Sequence, residues 1–446
     1  MSRKQLFALL ATIIGSGVVI LDGTVVTLAL PNIAHELHAS FADLQWVVDG
    51  YALLLSALIL LGGSLGDIFG RKRVYLIGLG GFGLASFLCG LAPNIGALIG
   101  LRALQGVFGA LLVPGALAII NTNFPKDKRG AAIGRWSAWS ALAAAIGPVL
   151  GGYIVDASSW RWIFFINVPL VIVCFALAQI GIEETKDSKS RSVDAIGAML
   201  AISGLGGITY GLIEGPAHHW NMGALLPLIG GLVLFVLFIL TERRRRDPMI
   251  TLSLFGSRNF SGANLVTFAM YGALGGFLFA LVIFLQTTVG YSAIKAGASL
   301  LPITALLLTL SGRFGGMAAK HGPRIFMTAG PLTAALGMAL LYNLHHGSQY
   351  LTNVFPGIFL FALGLSLTVA PLTITVMGSV PDSSSGIASG INNAVSRVAS
   401  LITVALLGIL GASHVYTLAI GMCAGLAALA GIGSWILIRN EQTIHN

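Results

Sequence analysis

Asp22, Asp49 and Arg102 lie inside or at the edge of long apolar runs, and they are the residues of this chain best placed to do chemistry. A charge at the centre of a membrane-length apolar run costs about 2.5–3.5 kcal/mol or more, so it persists where it pairs, meets water or handles a ligand or proton. Asp22, in Leu21-Asp22-Gly23-Thr24, reads either as half of a structural or interfacial ion pair or as a proton or substrate site. Asp49 lies about one turn deeper than Trp46, a residue type that marks membrane interfaces, and it reads as a hydrated interfacial group or as a functional acid. Arg102 cannot release its proton at neutral pH. Its chemistry would be to favour the charged form of a nearby acid, not to carry the proton itself.

Two further constellations stand out. The turn Gly62-Gly63-Ser64-Leu65-Gly66-Asp67-Ile68-Phe69-Gly70-Arg71-Lys72-Arg73 puts one acid just ahead of three cations, between two apolar runs. Its glycines allow two helices to approach closely and turn sharply. Further on, Asn392, Asn393 and Arg397 are polar groups within an apolar run, which directs them to a protein interior. That run opens on Asp382-Ser383-Ser384-Ser385, residue types that favour a helix N-terminus.

The elements that must position these residues are membrane helices. Of the 446 residues 56% are hydrophobic and only 9% charged, against about 25% charged in a soluble domain; the mean hydropathy is +0.89. The runs, near residues 6–30, 46–66, 74–92, 95–120, 130–155, 162–182, 194–213, 223–241, 260–286, 294–314, 325–343, 353–375, 385–410 and 416–437, predict fourteen spans of an all-α polytopic membrane protein. No cleavable leader is expected, because Met1 to Lys4 lead directly into a full-length span.

Charge fixes the expected orientation. With the N-terminus inside, Arg3, Lys4, Arg71 to Arg73, Lys126, Lys128, Arg129, Lys186, Lys189, Arg191, Arg243 to Arg246, Arg258, Lys320, Arg324 and Arg439 are cytoplasmic, and outer loops keep only Arg161 and Lys295. Cations retained on one side place both termini in the cytoplasm. In that frame Asp22 is about 24 Å along its helix from the inner face and Arg102 about 10 Å in from the outer face. Both fall in the outer part of a core about 30 Å thick, at depths that let them pair.

The organisation is six, two, six: a bundle over 1–182, two extra central spans with basic linkers over 183–258, and a second bundle over 259–446. A weak repeat relates the bundles, Gly66–Arg71 in one matching Gly316–Gly322 in the other, where the acid is missing.

The turn around Asp67 resembles the loop signature of the major facilitator superfamily, and further motifs resemble its fourteen-span drug:proton antiporter branch. These are Leu21–Pro31 in span one, where Thr27 replaces the usual Asn; Leu101–Ala110 in span four; Ala143–Gly152 in span five; Trp160–Pro169; and Asp382–Asn393. The resemblance implies the major facilitator fold with pseudo-twofold-related halves and alternating access. It also implies a proton-coupled exporter of lipophilic, cationic compounds, similar to quaternary-ammonium and multidrug exporters, acting as a monomer in the bacterial plasma (inner) membrane. In that reading Asp22 and Arg102 couple protons, and Asp49, Asn392 and Asn393 contact substrate. Asp67, Gly70, Arg71, Arg129, Gly147 and Pro148 serve gating, Asp67 joining the start of span thirteen near Ser383 to Ser385 when the cytoplasmic side is closed. No carboxylate sits clearly inside spans nine to fourteen, which argues against divalent cations as cargo. A dedicated exporter of one metabolite or natural antibiotic is the alternative on the same fold, and a membrane receptor or scaffold the alternative of another class.

Other classes are disfavoured. No GxxxxGK[ST] phosphate loop or enzyme constellation is present. The cations follow loop positions and not a nucleic-acid-binding face. Cys89, Cys174 and Cys423 fall inside apolar runs without metal spacing. His218-His219 and His345-His346 belong to outer loops. Neither metal nor cofactor is expected.

Overall fold

A computed structural model describes residues 1–186, 193–245, 248–381, 384–410 and 415–440. All regular structure among them is helical. The helices are α1 Arg3–Leu37, α2 Phe41–Phe69, α3 Arg71–Gly90, α4 Ile95–Asn123 and α5 Lys126–Ala157, then α6 Trp162–Gly181, α7 Ala195–Ala217, α8 Met222–Arg244 and α9 Arg258–Thr287. There follow α10 Ala293–His321, α11 Arg324–Leu340, α12 Tyr350–Gly378, α13 Ser385–Leu410 and α14 Tyr416–Leu437. Each expected span therefore has a helix, and the chain is a multi-pass membrane protein. Thirteen of the helices are long and apolar enough to cross a bilayer by length and composition; α11, at 17 residues, falls short of the roughly 20 usually needed. Lys189, Arg191, Arg246, Asp382 and Ser383, used above for orientation and gating, lie outside the described residues.

The helix starts follow side-chain chemistry. Ser2 with Gln5, and Ser40 with Asp43, form capping boxes at the entries to α1 and α2. Asn94, Asp194 and Asn221 each accept a hydrogen bond from a first-turn amide of α4, α7 and α8. α1 runs past Pro31 to Leu37, beyond the expected end near residue 30. The extension carries Glu36 to Trp160 and Arg161, whose Nε1 and Nη2 donate to its carboxylate at 2.7 and 2.8 Å.

The chain divides into two compact units, Met1–Met249 with Ser292–Gly297, and Ile250–Tyr291 with Ala298–Asn446. In the first unit α2 and α4 approach at glycines: a Cβ on Gly62 would overlap the Ala110 carbonyl oxygen, and one on Gly106 the Tyr51 carbonyl oxygen. The central hairpin α7–α8 belongs to this unit and docks on α2. Trp46 Nε1 donates to Glu214 Oε1 at 2.8 Å, the Trp46 and Tyr210 rings lie 6.1 Å apart, and Leu53 packs beside Gly206.

The α2–α3 turn pivots on Gly70, whose φ of +111° favours glycine. The chain following α6 returns to this turn. Glu184 Oε1 and Oε2 accept from the backbone amides of Lys72 and Arg73, both at 3.1 Å, and the Thr185 carbonyl accepts from Arg71 N. A carboxylate there satisfies amides left open at the start of α3 and meets the positive end of its dipole. The second unit repeats the device: Gly322 has φ +87°, and Asn440, following α14, accepts from Arg324 N at 3.2 Å. The weak repeat expected from Gly66–Arg71 and Gly316–Gly322 thus corresponds to two turns closed alike, each within its own unit.

Candidate functional site

Asp22 is delivered by the middle of α1 and Arg102 by the second turn of α4, and the two are buried at 1% and 2% exposure. Arg102 Nη1 donates to Asp22 Oδ2 at 2.5 Å. The expected pair is therefore formed inside the first unit. Its surroundings come from α4 itself and from three more elements. Gln105, one turn after Arg102, donates from Nε2 to Asp22 Oδ1 at 2.9 Å, and its Oε1 accepts from Arg102 Nη1 at 2.6 Å. Asn167 of α6 donates from Nδ2 to Asp22 Oδ1 at 3.1 Å and to Ser86 Oγ of α3 at 3.1 Å. Ser86 Oγ in turn donates to the Phe164 carbonyl at 2.8 Å. Arg102 also donates from Nε to the Val47 carbonyl of α2 at 3.2 Å, and its guanidinium carbon lies 4.3 Å from the centroid of the Tyr51 ring.

Three N–H donors converge on one carboxylate. Burying two opposite charges costs several kcal/mol of hydration per ion, and the pair holds only because the remaining lone pairs and protons are met as well. Gln105 and Asn167 meet them. Neither stands out in the sequence, although both lie in the motifs Leu101–Ala110 and Trp160–Pro169. The usable signal was an amide side chain in an apolar run; Ser86 gave none, since a small hydroxyl is common in any span.

Asp49 is not part of this cluster. It sits between Trp46 and Leu53 on the face of α2 that meets α7, fully buried, and both carboxylate oxygens lack a hydrogen-bond partner among the described residues. Thr209, between Gly206 and Tyr210 on the opposing helix, is likewise buried with an unpartnered hydroxyl.

At the turn, Asp67 Oδ1 accepts from Arg71 Nε and Nη2 at 2.9 and 2.7 Å, across Gly70. Arg129 instead donates to the Phe124 carbonyl at 2.9 Å. Gly147 faces Thr24 of α1, where a Cβ would strike the hydroxyl. Gly151 faces Val25, and Pro148 lies within α5, its carbonyl oxygen against Gly297. In the second unit Asn392 Nδ2 donates to Thr267 Oγ1 at 2.7 Å and Asn264 Oδ1 at 3.2 Å, whereas Asn393 Oδ1 accepts from Arg397 Nε at 3.1 Å. The adjacent asparagines therefore serve different neighbours.

The family model for the Major Facilitator Superfamily matches residues 12–404. The chain is 35% identical to the multidrug resistance protein Stp of Mycobacterium tuberculosis, covering 92% of this chain and 76% of that protein. It is 33% identical to the puromycin resistance protein pur8 of Streptomyces alboniger, covering 94% and 88%, and 32% identical to the tetracenomycin C resistance and export protein of Streptomyces glaucescens, covering 91% and 76%. Among solved structures it resembles a peptide transporter, POT, crystallised with sulfate, at a TM-score of 0.74 and 16% identity over 96% of this chain and 93% of that one. That likeness concerns the fold. By the family match and these relatives, the chain belongs to the Major Facilitator Superfamily.

Proposed function

We propose that this protein is a proton-coupled exporter of lipophilic, cationic compounds that works by alternating access, as a monomer in a bacterial inner membrane with both termini cytoplasmic. Transport, not catalysis, is its activity, and the functional parts are the bundle 1–182, the central spans 183–258 and the bundle 259–446. The observation that carries the reading is the buried Asp22–Arg102 pair with its amide supports. Such a group can change its proton occupancy only with a rearrangement of the helices that supply its partners. The names of the relatives, which speak of multidrug resistance and of antibiotic resistance and export, support export as its direction.

In this reading Asn392 and Asn393 contribute polar contacts to the cargo and Asp49 a charge. A buried carboxylate without a donor is costly, and an arriving cation would offset that cost. Asp67, held by Arg71, biases the equilibrium toward the state closed on the cytoplasmic side, with Gly70, Arg129, Gly147 and Pro148 shaping the helices that move. A dedicated exporter of one natural antibiotic is the second reading, favoured by the single antibiotics named for two of the relatives.

Efflux assays in a pump-deficient host, with and without an uncoupler, test the proposal. Extrusion of several unrelated lipophilic cations, stopped by the uncoupler, is expected. Extrusion of one compound alone supports the second reading, and no extrusion at all supports the receptor or scaffold. Asp49→Asn should weaken efflux of monovalent cations more than that of neutral compounds, by about tenfold for a lost charge-assisted contact; equal losses for both would remove Asp49 from the substrate site.

A further inference from the structure

The cluster around Asp22 is built for a carboxylate and not for a carboxylic acid. Arg102 Nη1, Gln105 Nε2 and Asn167 Nδ2 all point hydrogens at its two oxygens. A proton arriving on Asp22 turns one of those oxygens into a donor facing donors, and it needs an acceptor within reach. Arg102 has no acceptor to give. Gln105 Oε1 already accepts from Arg102 at 2.6 Å, with the Cys89 thiol 3.9 Å away. Asn167 differs. It is fully buried, its Nδ2 serves both Asp22 and Ser86, and its Oδ1 has no hydrogen-bond partner among the described residues.

A side-chain amide is nearly symmetric in shape and opposite in polarity at its two ends. A half-turn of the Asn167 amide carries Oδ1 to the place Nδ2 now holds, beside Asp22 and Ser86, without enlarging the site. Ser86 can follow, because its hydroxyl both accepts and donates. The turn would release its hydrogen bond to the Phe164 carbonyl in α6. The other titratable groups facing this cluster are Arg102, Tyr51 and Cys89, and none of them offers a free carbonyl oxygen.

We propose that Asn167 is a positioning residue for the proton-carrying acid: it donates to Asp22 when Asp22 is ionised and, after turning its amide, accepts from Asp22 when Asp22 is protonated. The proton moves onto an Asp22 oxygen, the Asn167 Nδ2 hydrogen bond to that carboxylate breaks, and one from Asp22 O–H to Asn167 Oδ1 forms. Protonation of α1 is thereby transmitted to α3 and α6 through Ser86. This inference rests on Asp22 being the coupling acid.

The test uses full-length purified protein in proteoliposomes and the near-isosteric Asn167→Leu, which offers neither donor nor acceptor. Transport driven by a pH gradient should fall about tenfold, the loss expected for one hydrogen bond to a charged group. Substrate counterflow, which needs no net proton movement, should keep the parent rate. Asn167→Gln, which retains both ends of the amide, should recover part of the driven rate. In pH-difference infrared spectra of the parent, a protonated carboxyl band that vanishes in Asp22→Asn should appear together with an asparagine amide band that vanishes in Asn167→Leu. Unchanged driven transport in Asn167→Leu, equal loss of driven transport and counterflow, or a carboxyl band without an amide band would each overturn the inference. Failure of the reading beneath it looks different: Asp22→Asn would then keep driven transport and the carboxyl band.

Discussion

Asp22→Asn is expected to abolish uphill efflux. The substitution keeps an oxygen for Arg102 Nη1 and nearly the same volume, so the fold should survive, while the site loses the only carboxylate that, among the described residues, contacts Arg102, Gln105 and Asn167 directly. In proteoliposomes loaded with substrate, an imposed pH gradient should no longer drive accumulation against the concentration gradient, whereas counterflow continues. Proton flux coupled to substrate addition should drop to the background of empty vesicles. An Asp22→Asn protein that still accumulates substrate under a pH gradient would exclude Asp22 as the coupling acid. Proton flux must be read directly, since Asp67→Asn is also expected to slow transport, through the gate rather than through the proton.

The second large effect is on stability. Arg102→Leu removes one partner of a fully buried pair and leaves Asp22 a buried carboxylate without its counter-charge, which costs about 3–5 kcal/mol. It also removes the hydrogen bond to the Val47 carbonyl and the stacking on Tyr51. Denaturant unfolding in detergent should show the loss. Combining Arg102→Leu with Asp22→Leu takes away both charges and should recover much of it, because an apolar pair of similar volume is often neutral or better than the buried ions. Arg102→Lys should not rescue, as an ammonium cannot span Asp22, Gln105 and the Val47 carbonyl at once. If the single and double variants unfold alike, the pair is not the source of the cost.

The span pattern was legible because hydropathy and helix length report directly on the bilayer, and every expected span has its helix. So was the Asp22–Arg102 pair, since rise per residue converts sequence position into depth and two opposite charges at one depth seek each other. Depth says nothing about azimuth. Trp46, Asp49 and Leu53 share a face of α2, but which neighbour that face meets depends on the packing of α7, and no periodicity within span two announces it. The partners of Asp22 were hidden for the same reason: Gln105 follows from Arg102 at helical spacing, whereas Asn167 is 145 residues from Asp22 and reaches it only through tertiary packing. The gating role the resemblance implies for Arg129 has no contact with Asp67 beside it here; Arg129 donates to the Phe124 carbonyl, near the start of its own helix.

The closure of the Gly70 and Gly322 turns also has a meaning in time. The amides of Lys72 and Arg73 take their acceptors from Glu184, 112 and 111 residues later, and Arg324 takes its acceptor from Asn440, 116 residues later. At about 5–20 residues per second, a ribosome needs on the order of ten seconds to supply the missing group. During that interval α3 begins with open amides at the water boundary, and it is finished only when α6 has been made. In each unit, then, a glycine turn is closed by a segment made more than a hundred residues later. A chain that stopped before residue 184 would leave the amides of Lys72 and Arg73 without these acceptors.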